Sequence, residues 1–333
     1  MSAANKKIAI LGAGAWGTAL ALSLSQKQEV TLWSHNAAST AEMKQTRRNE
    51  HYLPGFDLPA NIHITADLKA AAAADILLCV VPSQHMRSTV DLLRPSLRPD
   101  HILLSATKGI EDHTFLRMTE VMQQAAGHKL HLGVLSGPSF AQEVAQNMPT
   151  ALAIASSDSS LAQAIQKKFS SPTLRLYTND DVTGVELGGA LKNVIALSAG
   201  IVAGLGLGSN ATAALITRGI SEITRLATAC GGKKHTLAGL SGVGDLVLTC
   251  TGSLSRNRTV GIELGRGRKL PEILEGLHGK VAEGVGSTAA ALGLARKHGV
   301  EMPITEQMEA ILHHGKSPKD AIRDLMSRPG RDE

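Results

Sequence analysis

The chain has 333 residues, of which 43% are hydrophobic and 19% charged, and this length and composition predict two ordinary globular domains. Glycine is abundant at 33 residues, whereas the chain has only 4 Phe, 2 Tyr and 2 Trp. Recognition of nucleic acid by base stacking needs aromatic side chains, so this composition argues against a nucleic-acid partner. The formal net charge of +5 comes from scattered basic residues, which indicates a solvated basic surface.

The cysteines argue against a disulfide framework and against a metal site. Cys79, Cys230 and Cys250 are odd in number and far apart in the chain, unlike the close ligand pairs of a zinc knuckle. We therefore expect reduced cysteines in the core and no bound metal.

One apolar segment raises the question of a membrane span. Between Leu187 and Thr217 the only formal charge is that of Lys192, and a stretch of this length could cross a bilayer. It is interrupted by turn-forming residues, namely Gly200, Gly204, Gly206, Gly208, Ser209 and Asn210. We therefore predict a buried helix, a glycine-rich turn and a second helix. The N-terminus lacks the pattern of a signal peptide, so we expect a cytoplasmic protein with no integral membrane association.

The first half of the chain alternates between two kinds of segment. Short runs rich in Val, Ile and Leu predict strands at Ile8–Leu11, Val30–Trp33, Ile76–Val81, Ile102–Ser105, Leu132–Leu135, Ala151–Ala155 and Leu174–Tyr177. Stretches with helical spacing lie between them, for example Thr18–Gln26 and Met86–Leu93. Strands that alternate with helices predict a parallel sheet covered on both faces.

The pattern changes after Asp180, where runs of Ala, Leu and Gly with helical period dominate. We therefore predict two domains: residues 1–180 as an α/β domain with a parallel sheet, and residues 181–333 as an all-α domain.

A glycine-rich turn follows the first predicted strand and precedes the first predicted helix, at Gly12–Gly17. Gly12 permits a tight turn, Gly14 lets the backbone approach a pyrophosphate, and Gly17 lets the helix pack close to the sheet. The N–H groups at the start of that helix would bind the phosphates. The sequence therefore predicts a Rossmann-type dinucleotide site, with a ligand-free glycine turn as the alternative.

The residues after the second strand bear on which dinucleotide binds. An acidic residue there would accept hydrogen bonds from the adenosine ribose, but this chain has Ser34, His35 and Asn36, all of which can donate to a 2′-phosphate. Arg47 and Arg48 follow in a predicted loop that could also reach such a phosphate. The sequence favours NADP(H) and leaves NAD(H) open, since the usual arginine is missing and His35 could be an ordinary loop residue.

Lys192 is isolated in an apolar helix. Burial disfavours the charged form of a lysine and lowers its pKa, which would make Lys192 a proton donor and acceptor near neutral pH. A strip of small or polar residues at helical spacing would leave room beside it for a substrate or a nicotinamide ring: Gly189, Asn193, Ala196 and Gly200. The alternatives are a lysine that snorkels to the surface or one that pairs with Glu186.

Three further clusters carry side chains suited to ligands. Lys108 follows one predicted strand and Ser136–Phe140 follows another, so both lie at the carboxyl edge of the sheet, where ligands of such folds bind. Ser255–Arg258 precedes a predicted helix and offers donors to a phosphate. Each cluster taken singly could instead be a turn or a helix cap.

Four stretches are more specific than the glycine turn, namely Gly137–Val144, Val185–Val194, Gly244–Cys250 and Ser255–Asn257. With them, the chain resembles the bacterial NAD(P)-dependent glycerol-3-phosphate dehydrogenase family over nearly its whole length. The resemblance implies a Rossmann domain joined to a helical domain, with the active site between them. It also implies the interconversion of dihydroxyacetone phosphate and sn-glycerol 3-phosphate, which supplies glycerophospholipid synthesis.

The resemblance further implies roles for individual residues. Lys192 would be the general acid/base that protonates the developing alkoxide as hydride arrives from the nicotinamide. Asp245 would orient the site. The substrate would be held by Lys108, Gly137, Ser139, Lys192, Asp245, Ser255, Arg256 and Asn257. The dinucleotide would contact Gly12, Gly14, Ala15, Trp16, Gly17, His35, Lys108, Ala141, Arg256, Val281 and Glu283.

The chain departs from the family pattern at three positions. At His35 many relatives have arginine, which weakens the expectation of NADPH over NADH. At Ala15 a serine is common, although a contact through the backbone amide would survive the change. Ala203 stands where an acidic residue is frequent, and no physical consequence follows from the sequence.

Two other functions fit parts of the sequence. One is a dehydrogenase of another small oxo or hydroxy acid, because a carboxylate would use the same donors as the phosphate expected at Arg256. The other is a dinucleotide sensor without turnover, which would not need the isolated Lys192. The apolar helical domain is compatible with a homodimer, although no heptad pattern or edge strand specifies one.

Overall fold

A computed structural model describes residues 6–276 and 282–330 of the chain. Contacts between residues divide the chain into two compact units. The first takes residues up to Glu111 together with Leu116–Glu186, and the second takes Asp112–Phe115 together with the residues from Leu187 onward. The predicted domain boundary, after residue 180, precedes this division along the chain.

Within the described residues, the first unit contains ten strands and seven α-helices. Its strands are β1 Ile8–Leu11, β2 Val30–Trp33, β3 Arg48–Asn49, β4 Leu53–Asp57, β5 Ile62–Thr65, β6 Ile76–Cys79, β7 Ile102–Ser105, β8 His131–Ser136, β9 Thr150–Ala155 and β10 Leu174–Asn179. Its helices are α1 Ala15–Ser25, α2 Ala37–Thr46, α3 Leu68–Ala71, α4 Met86–Leu93, α5 Met118–Ala126, α6 Ala141–Ala145 and α7 Ser159–Phe169.

Eight of these strands form one sheet in the order β10-β9-β8-β7-β6-β1-β2-β5. The alternation along β1 shows how it is covered: Ile8 and Ile10 belong to the apolar cluster on one face, and Ala9 and Leu11 to the cluster on the other. Both faces are therefore buried, as the continuous apolar runs in the sequence predicted.

The expectation of an all-parallel sheet is wrong at one strand pair. β9 runs antiparallel to β8, with Ile154 opposite Leu135, whereas the other neighbouring pairs are parallel. A parallel pair needs a crossover connection, usually a full helix across the sheet. The connection from β8 to β9 contains only the five-residue α6, which packs against α1. The chain therefore returns antiparallel.

Three short strands were not predicted. β3 and β4 form a separate two-stranded antiparallel sheet in which Asn49 pairs with Leu53, and β5 adds to the edge of the main sheet beside β2. β4 contains Pro54 and Gly55, which are rare in strands, and β3 has only two residues. Local sequence therefore gave little signal for this hairpin.

The described residues of the second unit are helical or irregular, which confirms the prediction of a mostly helical C-terminal part. The helices are α8 Val182–Gly204, α9 Gly208–Ala229, α10 Lys234–Leu237, α11 Asp245–Thr251, α12 Arg256–Gly265, α13 Leu270–Glu275, α14 Glu283–Lys297, α15 Pro303–His313 and α16 Pro318–Met326. A π-helical turn, Leu240–Gly244, leads directly into α11. The first residues of α8, up to Glu186, belong to the first unit.

α8 is the apolar segment that raised the question of a membrane span. It is long and apolar enough to cross a bilayer, but 89% of its most apolar window is buried inside the protein, as in a core helix. The helix ends at Gly204 and α9 begins at Gly208, so the predicted glycine-rich turn is confirmed. Residues Lys234–Thr251 and Arg256–Gly265 would together also be long and apolar enough to cross a bilayer, but the chain bends by 50° between them.

Glycines bring α8 and α12 into backbone contact. A Cβ on Gly200 would lie 2.1 Å from the carbonyl oxygen of Arg258, and a Cβ on Gly261 would lie 2.0 Å from that of Leu197. The hypothesis that Gly200 leaves room for a ligand beside Lys192 is therefore wrong, because α12 fills that space.

Candidate functional site

The glycine-rich turn joins β1 to α1 at the carboxyl edge of the sheet. Gly12 has a φ of 121°, and a Cβ there would lie 2.7 Å from the carbonyl oxygen of Val80. A Cβ on Gly17 would lie 1.9 Å from the carbonyl oxygen of Gly12. Only glycine at both positions lets the helix start this close to the strand.

The turn offers what a dinucleotide needs. Gly14 is the N-cap of α1, and no atom lies within 4 Å of where its Cβ would be, so open space borders the first turn of the helix. The indole Nε1–H of Trp16 is buried, and no described residue accepts a hydrogen bond from it. A helix N-terminus attracts an anion, and a buried indole N–H requires an acceptor. A dinucleotide supplies both, through its phosphates and its many oxygens.

The segment after β6 also borders the turn, although the sequence did not single it out. β6 lies between β1 and β7, so Val80 comes against Gly12. On the other side of β6, a Cβ on Gly109 would lie 2.5 Å from the hydroxyl of Ser83. Residues 80–83 therefore lie between the glycine turn and the Lys108 loop. The sequence placed this segment at the end of the predicted strand Ile76–Val81. That position indicates a ligand site only once the strand order puts β6 beside β1.

The end of β2 adjoins the glycine turn, since the N–H of Gly12 donates to the carbonyl of Trp33 at 3.0 Å. Ser34 is buried and its hydroxyl accepts the N–H of Asn36 at 3.3 Å. The Asn36 side chain caps α2 through its oxygen, so its amide nitrogen is not needed by the cap. His35 is exposed. Ser34, His35 and Asn36 therefore lie beside the glycine-rich turn. They provide hydrogen-bond donors, and none of them is a carboxylate.

The structure argues against the two arginines as further phosphate ligands. Arg47 donates from Nε to the carbonyl of Leu58 at 3.0 Å and from its terminal nitrogen to that of Ile62 at 3.0 Å. Arg48 pairs with Asp57 at 2.6 Å. Both guanidinium groups are thus engaged around the β3–β4 hairpin, which argues against the hypothesis that Arg47 and Arg48 reach the cofactor.

The predicted residues after β7 and β8 come together. Lys108 donates from Nζ to the carbonyl oxygen of Gly137 at 3.1 Å, and the Ser139 hydroxyl donates to the same oxygen at 3.0 Å. They meet because β7 and β8 are parallel neighbours that end at the same edge. Ala141 starts α6 and packs with Trp16 against one small apolar cluster. The first unit therefore gathers its predicted ligand residues at the carboxyl edge of the sheet.

Lys192 forms a buried polar cluster in the second unit. The residue is only 7% exposed, and Nζ donates to the Asp245 carboxylate and, at 2.9 Å, to the Thr249 hydroxyl. Asp245 is fully buried at the first turn of α11, and Thr249 lies one helical turn later. The Thr249 hydroxyl in turn donates to the Asp245 backbone carbonyl at 2.6 Å. An adjacent carboxylate favours the ammonium form of a lysine, which opposes the effect of burial.

Thr249 was not predicted as a site residue. The available signal was its position four residues after Asp245 in a helix, which places both side chains on one face.

Both alternatives for Lys192 are wrong. The side chain does not snorkel to solvent, and Glu186 binds elsewhere: its carboxylate pairs with Arg117 at 2.5 Å and accepts the N–H and the hydroxyl of Thr119 at 2.8 and 2.7 Å. Burial raises the pKa of the Glu186 carboxyl, and the Arg117 guanidinium opposes that rise. Glu186 therefore anchors the start of α5 and does not pair with Lys192.

The start of α12 resembles an anion site. The Ser255 hydroxyl is the N-cap and accepts the N–H of Arg258 at 3.2 Å, so it serves as a cap, as one alternative predicted. Arg256 is the first residue of the helix and is exposed, and no side chain or carbonyl within the described ranges pairs with its guanidinium. An unpaired arginine at a helix N-terminus is suited to binding a phosphate or a carboxylate.

Asn257 links α12 to α14. Its side-chain oxygen accepts the N–H of Gly284 at 3.0 Å, and Asn193 donates to the carboxylate of Glu283 at 3.3 Å. Glu283, the first residue of α14, thus contacts the residue that follows Lys192 in α8. Val281, also predicted to contact the dinucleotide, lies outside the described residues.

Two family models match the chain. The N-terminal model of NAD-dependent glycerol-3-phosphate dehydrogenase matches residues 7–162, and the C-terminal model of the same enzyme matches residues 181–323. A glycerol-3-phosphate dehydrogenase [NAD(P)+] from Acidobacterium capsulatum is 56% identical over 98% of this chain and 99% of its own. One from Koribacter versatilis is 56% identical over 98% of each chain.

A solved structure shows the same fold along the chain. The crystal structure of glycerol-3-phosphate dehydrogenase from Coxiella burnetii is 42% identical, with a TM-score of 0.93, over 97% of this chain and 99% of that one.

Proposed function

We propose, since the chain belongs to the NAD-dependent glycerol-3-phosphate dehydrogenase family, that it reduces dihydroxyacetone phosphate reversibly to sn-glycerol 3-phosphate. The observation that carries the chemistry is the buried contact of Lys192 with Asp245 and Thr249. Reduction of a ketone needs a proton for the oxygen, and this cluster holds an ammonium group in one orientation. A dinucleotide sensor without turnover would have no need of it.

The residues of the first unit would hold the nicotinamide dinucleotide. The N–H groups from Gly14 onward would bind the pyrophosphate, and Trp16 and Ala141 would pack against the cofactor. Lys108, held on the carbonyl of Gly137, would present a cation to the bound ligands. When bound, the reduced nicotinamide supplies the hydride that adds to the carbonyl carbon.

Lys192 is the general acid in this proposal. As negative charge develops on the substrate oxygen, Nζ stabilises it and transfers a proton to it, and the lysine is left neutral. Asp245 holds the ammonium form before the transfer, and Thr249 fixes the direction of Nζ. In the reverse direction, neutral Lys192 accepts the hydroxyl proton.

Arg256 would bind the substrate phosphate, with Ser255 and Asn257 beside it at the start of α12. The guanidinium is exposed and lacks a partner among the described residues, so a dianionic phosphate would supply two acceptors for its fork of donors. A carboxylate would also fit these donors, so membership of the glycerol-3-phosphate dehydrogenase family, and not Arg256 alone, favours a phosphorylated substrate over an unphosphorylated hydroxy acid.

We further propose NADP(H) as the preferred cofactor, because Ser34, His35 and Asn36 bring donors and no carboxylate to the end of β2. The product would supply glycerophospholipid synthesis, and the enzyme would act in the cytoplasm.

The test is a spectrophotometric assay of NADPH oxidation with dihydroxyacetone phosphate. We expect turnover by the wild type and a loss of about 100-fold to 10,000-fold in kcat for Lys192→Ala, the range for removal of a general acid. Lys316→Ala removes a lysine from another Lys–Asp pair of the same unit and should keep wild-type activity. Near-normal turnover by Lys192→Ala would refute the role of Lys192, and a wild type inactive on this substrate would refute the proposed function.

A further inference from the structure

The side chain of Asn49, which lies outside the glycine turn, forms hydrogen bonds to that turn and to α1. The amide nitrogen of Asn49 donates to the carbonyl oxygen of Ala13 at 2.8 Å and to the hydroxyl of Thr18 at 2.8 Å. Asn49 is only 2% exposed, and its oxygen accepts the N–H of Tyr52 at 3.3 Å. Both donor hydrogens of the amide are therefore used, one on the glycine turn and one on the first turns of α1, 36 and 31 residues away in sequence.

The hydrogen bond from Asn49 to the Ala13 carbonyl determines the direction of the Gly14 N–H. The peptide bond from Ala13 to Gly14 is trans, so its carbonyl and its N–H point in opposite directions. Because Asn49 holds the carbonyl towards the protein interior, the N–H of Gly14 is directed to the opposite side. Open space also lies where a Cβ on Gly14 would be, at the start of α1, so a ligand can approach this residue.

The hairpin that carries Asn49 is itself held in place. Leu53, its partner in the β3–β4 pairing, packs with Ala19 of α1 and Val144 of α6. The guanidinium of Arg47 binds the backbone where the chain leaves the hairpin. The amide of Asn49 is thus held in position by packing before any ligand binds. Such preorganisation lowers the conformational entropy that is lost when the ligand binds.

We propose that Asn49 is a positioning residue for the dinucleotide pyrophosphate, acting through the Ala13–Gly14 peptide. This inference rests on the proposed cofactor site, and it assigns to the β3–β4 hairpin a role in cofactor affinity. Without the amide, the Ala13 carbonyl loses its strongest donor and the peptide can rotate, so that the Gly14 N–H no longer points at the phosphate.

The test is calorimetric titration of NADPH into the protein without substrate. Asn49→Ala should raise the Kd for NADPH by about 10-fold to 100-fold, by analogy with the loss of affinity when the hydrogen-bond partner of a metal ligand is removed. The Kd for 2′-phospho-ADP-ribose, which has the pyrophosphate but no nicotinamide, should rise equally. At saturating NADPH, kcat and the KM for dihydroxyacetone phosphate should stay near those of the wild type.

Asn61→Ala is the matched control. The amide of Asn61 donates to two backbone carbonyls at the other end of α1, those of Ser25 at 2.6 Å and Gln28 at 3.2 Å. It should lower the melting temperature without changing the Kd for NADPH. If Asn49→Ala and Asn61→Ala raised the Kd equally, Asn49 would only stabilise α1 in general, and the proposal would be overturned.

Thr18→Val covers the case in which Asn49→Ala does not fold. It removes one acceptor of the amide, and a weaker bond of 3.4 Å from the Thr18 hydroxyl to Ala13, with almost no change of volume. It should raise the Kd for NADPH by a smaller factor, and an unchanged Kd overturns the proposal.

Because the titration needs no substrate, a wild type that binds NADPH but fails to turn over refutes the proposed reaction and leaves this result standing. A wild type that does not bind NADPH refutes both.

Discussion

Lys192 and Asp245 are 53 residues apart in sequence and form a buried ion pair. Asp245 is fully buried, so its charge depends on Lys192 and on the start of α11 for compensation. Removing one partner of such a pair leaves an uncompensated charge, which is costly. The pair therefore couples the stability of the second unit to the group that we propose as the acid.

Asp245→Asn tests this coupling. We expect kcat to fall by about 100-fold, because Lys192 loses its orientation and its preference for the ammonium form. We also expect the free energy of unfolding to fall by about 3 kcal/mol. Steady-state kinetics and urea denaturation measure the two effects. Asp324→Asn breaks the more exposed Lys316–Asp324 pair and should change neither, whereas normal kcat in Asp245→Asn would remove Asp245 from the mechanism.

Arg256→Ala tests the phosphate site. We expect the KM for dihydroxyacetone phosphate to rise by about 10-fold or more, because each charge-assisted hydrogen bond lost costs roughly 1.5–3 kcal/mol. Arg258→Ala removes the same charge two residues later on α12 and should leave the KM near normal. If the two variants behave alike, the effect is one of net charge and the phosphate binds elsewhere.

His35→Asp tests the preference for NADPH. A carboxylate at the end of β2 would repel a 2′-phosphate and accept hydrogen bonds from a ribose, so the ratio of kcat/KM for NADPH to that for NADH should fall. Ala38→Asp places the same charge on an exposed position of α2 and should leave the ratio near that of the wild type. An unchanged ratio in His35→Asp would show that His35 does not contact the 2′-phosphate.

Gly200→Ala tests the close contact of α8 with α12. The new Cβ would lie 2.1 Å from a backbone carbonyl, so we expect a loss of about 1–3 kcal/mol or more in the free energy of unfolding. Gly286→Ala, at an exposed site in α14 with no atom within 4 Å, should instead stabilise by about 1 kcal/mol. Denaturant titration measures the free energy of unfolding of both variants, and similar changes in Gly200→Ala and Gly286→Ala would contradict the close contact of α8 with α12.

Titration of thiols with a disulfide reagent tests the state of the cysteines. Burial raises the pKa of Cys79 and of Cys250 to about 12, so neither forms the reactive thiolate near neutral pH. Only the half-buried Cys230 should react in the folded protein, and all three should react after denaturation. Cys230→Ser should abolish the native reaction, and labelling of Cys250 in that variant would show that the Lys192 region opens to solvent.

Local patterns in the sequence were sufficient for most of the first unit and for the site residues near its strands. The predicted helix Met86–Leu93 is observed with the same bounds, because its apolar residues repeat at helical spacing. Gly12 and Gly17 were assigned their steric roles because a strand–turn–helix leaves few conformations open to other residues. The hairpin around Asn49 was missed because two residues and a Pro-Gly pair carry almost no strand signal.

The sequence by itself determined that this protein has a glycine turn between a strand and a helix, a covered sheet, a mostly helical second part and an isolated lysine, because each depends on residues close together in the chain. Tertiary structure decided which groups those features contact. It reversed β9 relative to β8, filled the space at Gly200 with α12, gave Lys192 the partners Asp245 and Thr249, and placed Asn49 on Ala13. The physical reason is that these contacts join residues far apart in sequence, and packing of the whole unit selects among partners that local patterns leave equivalent.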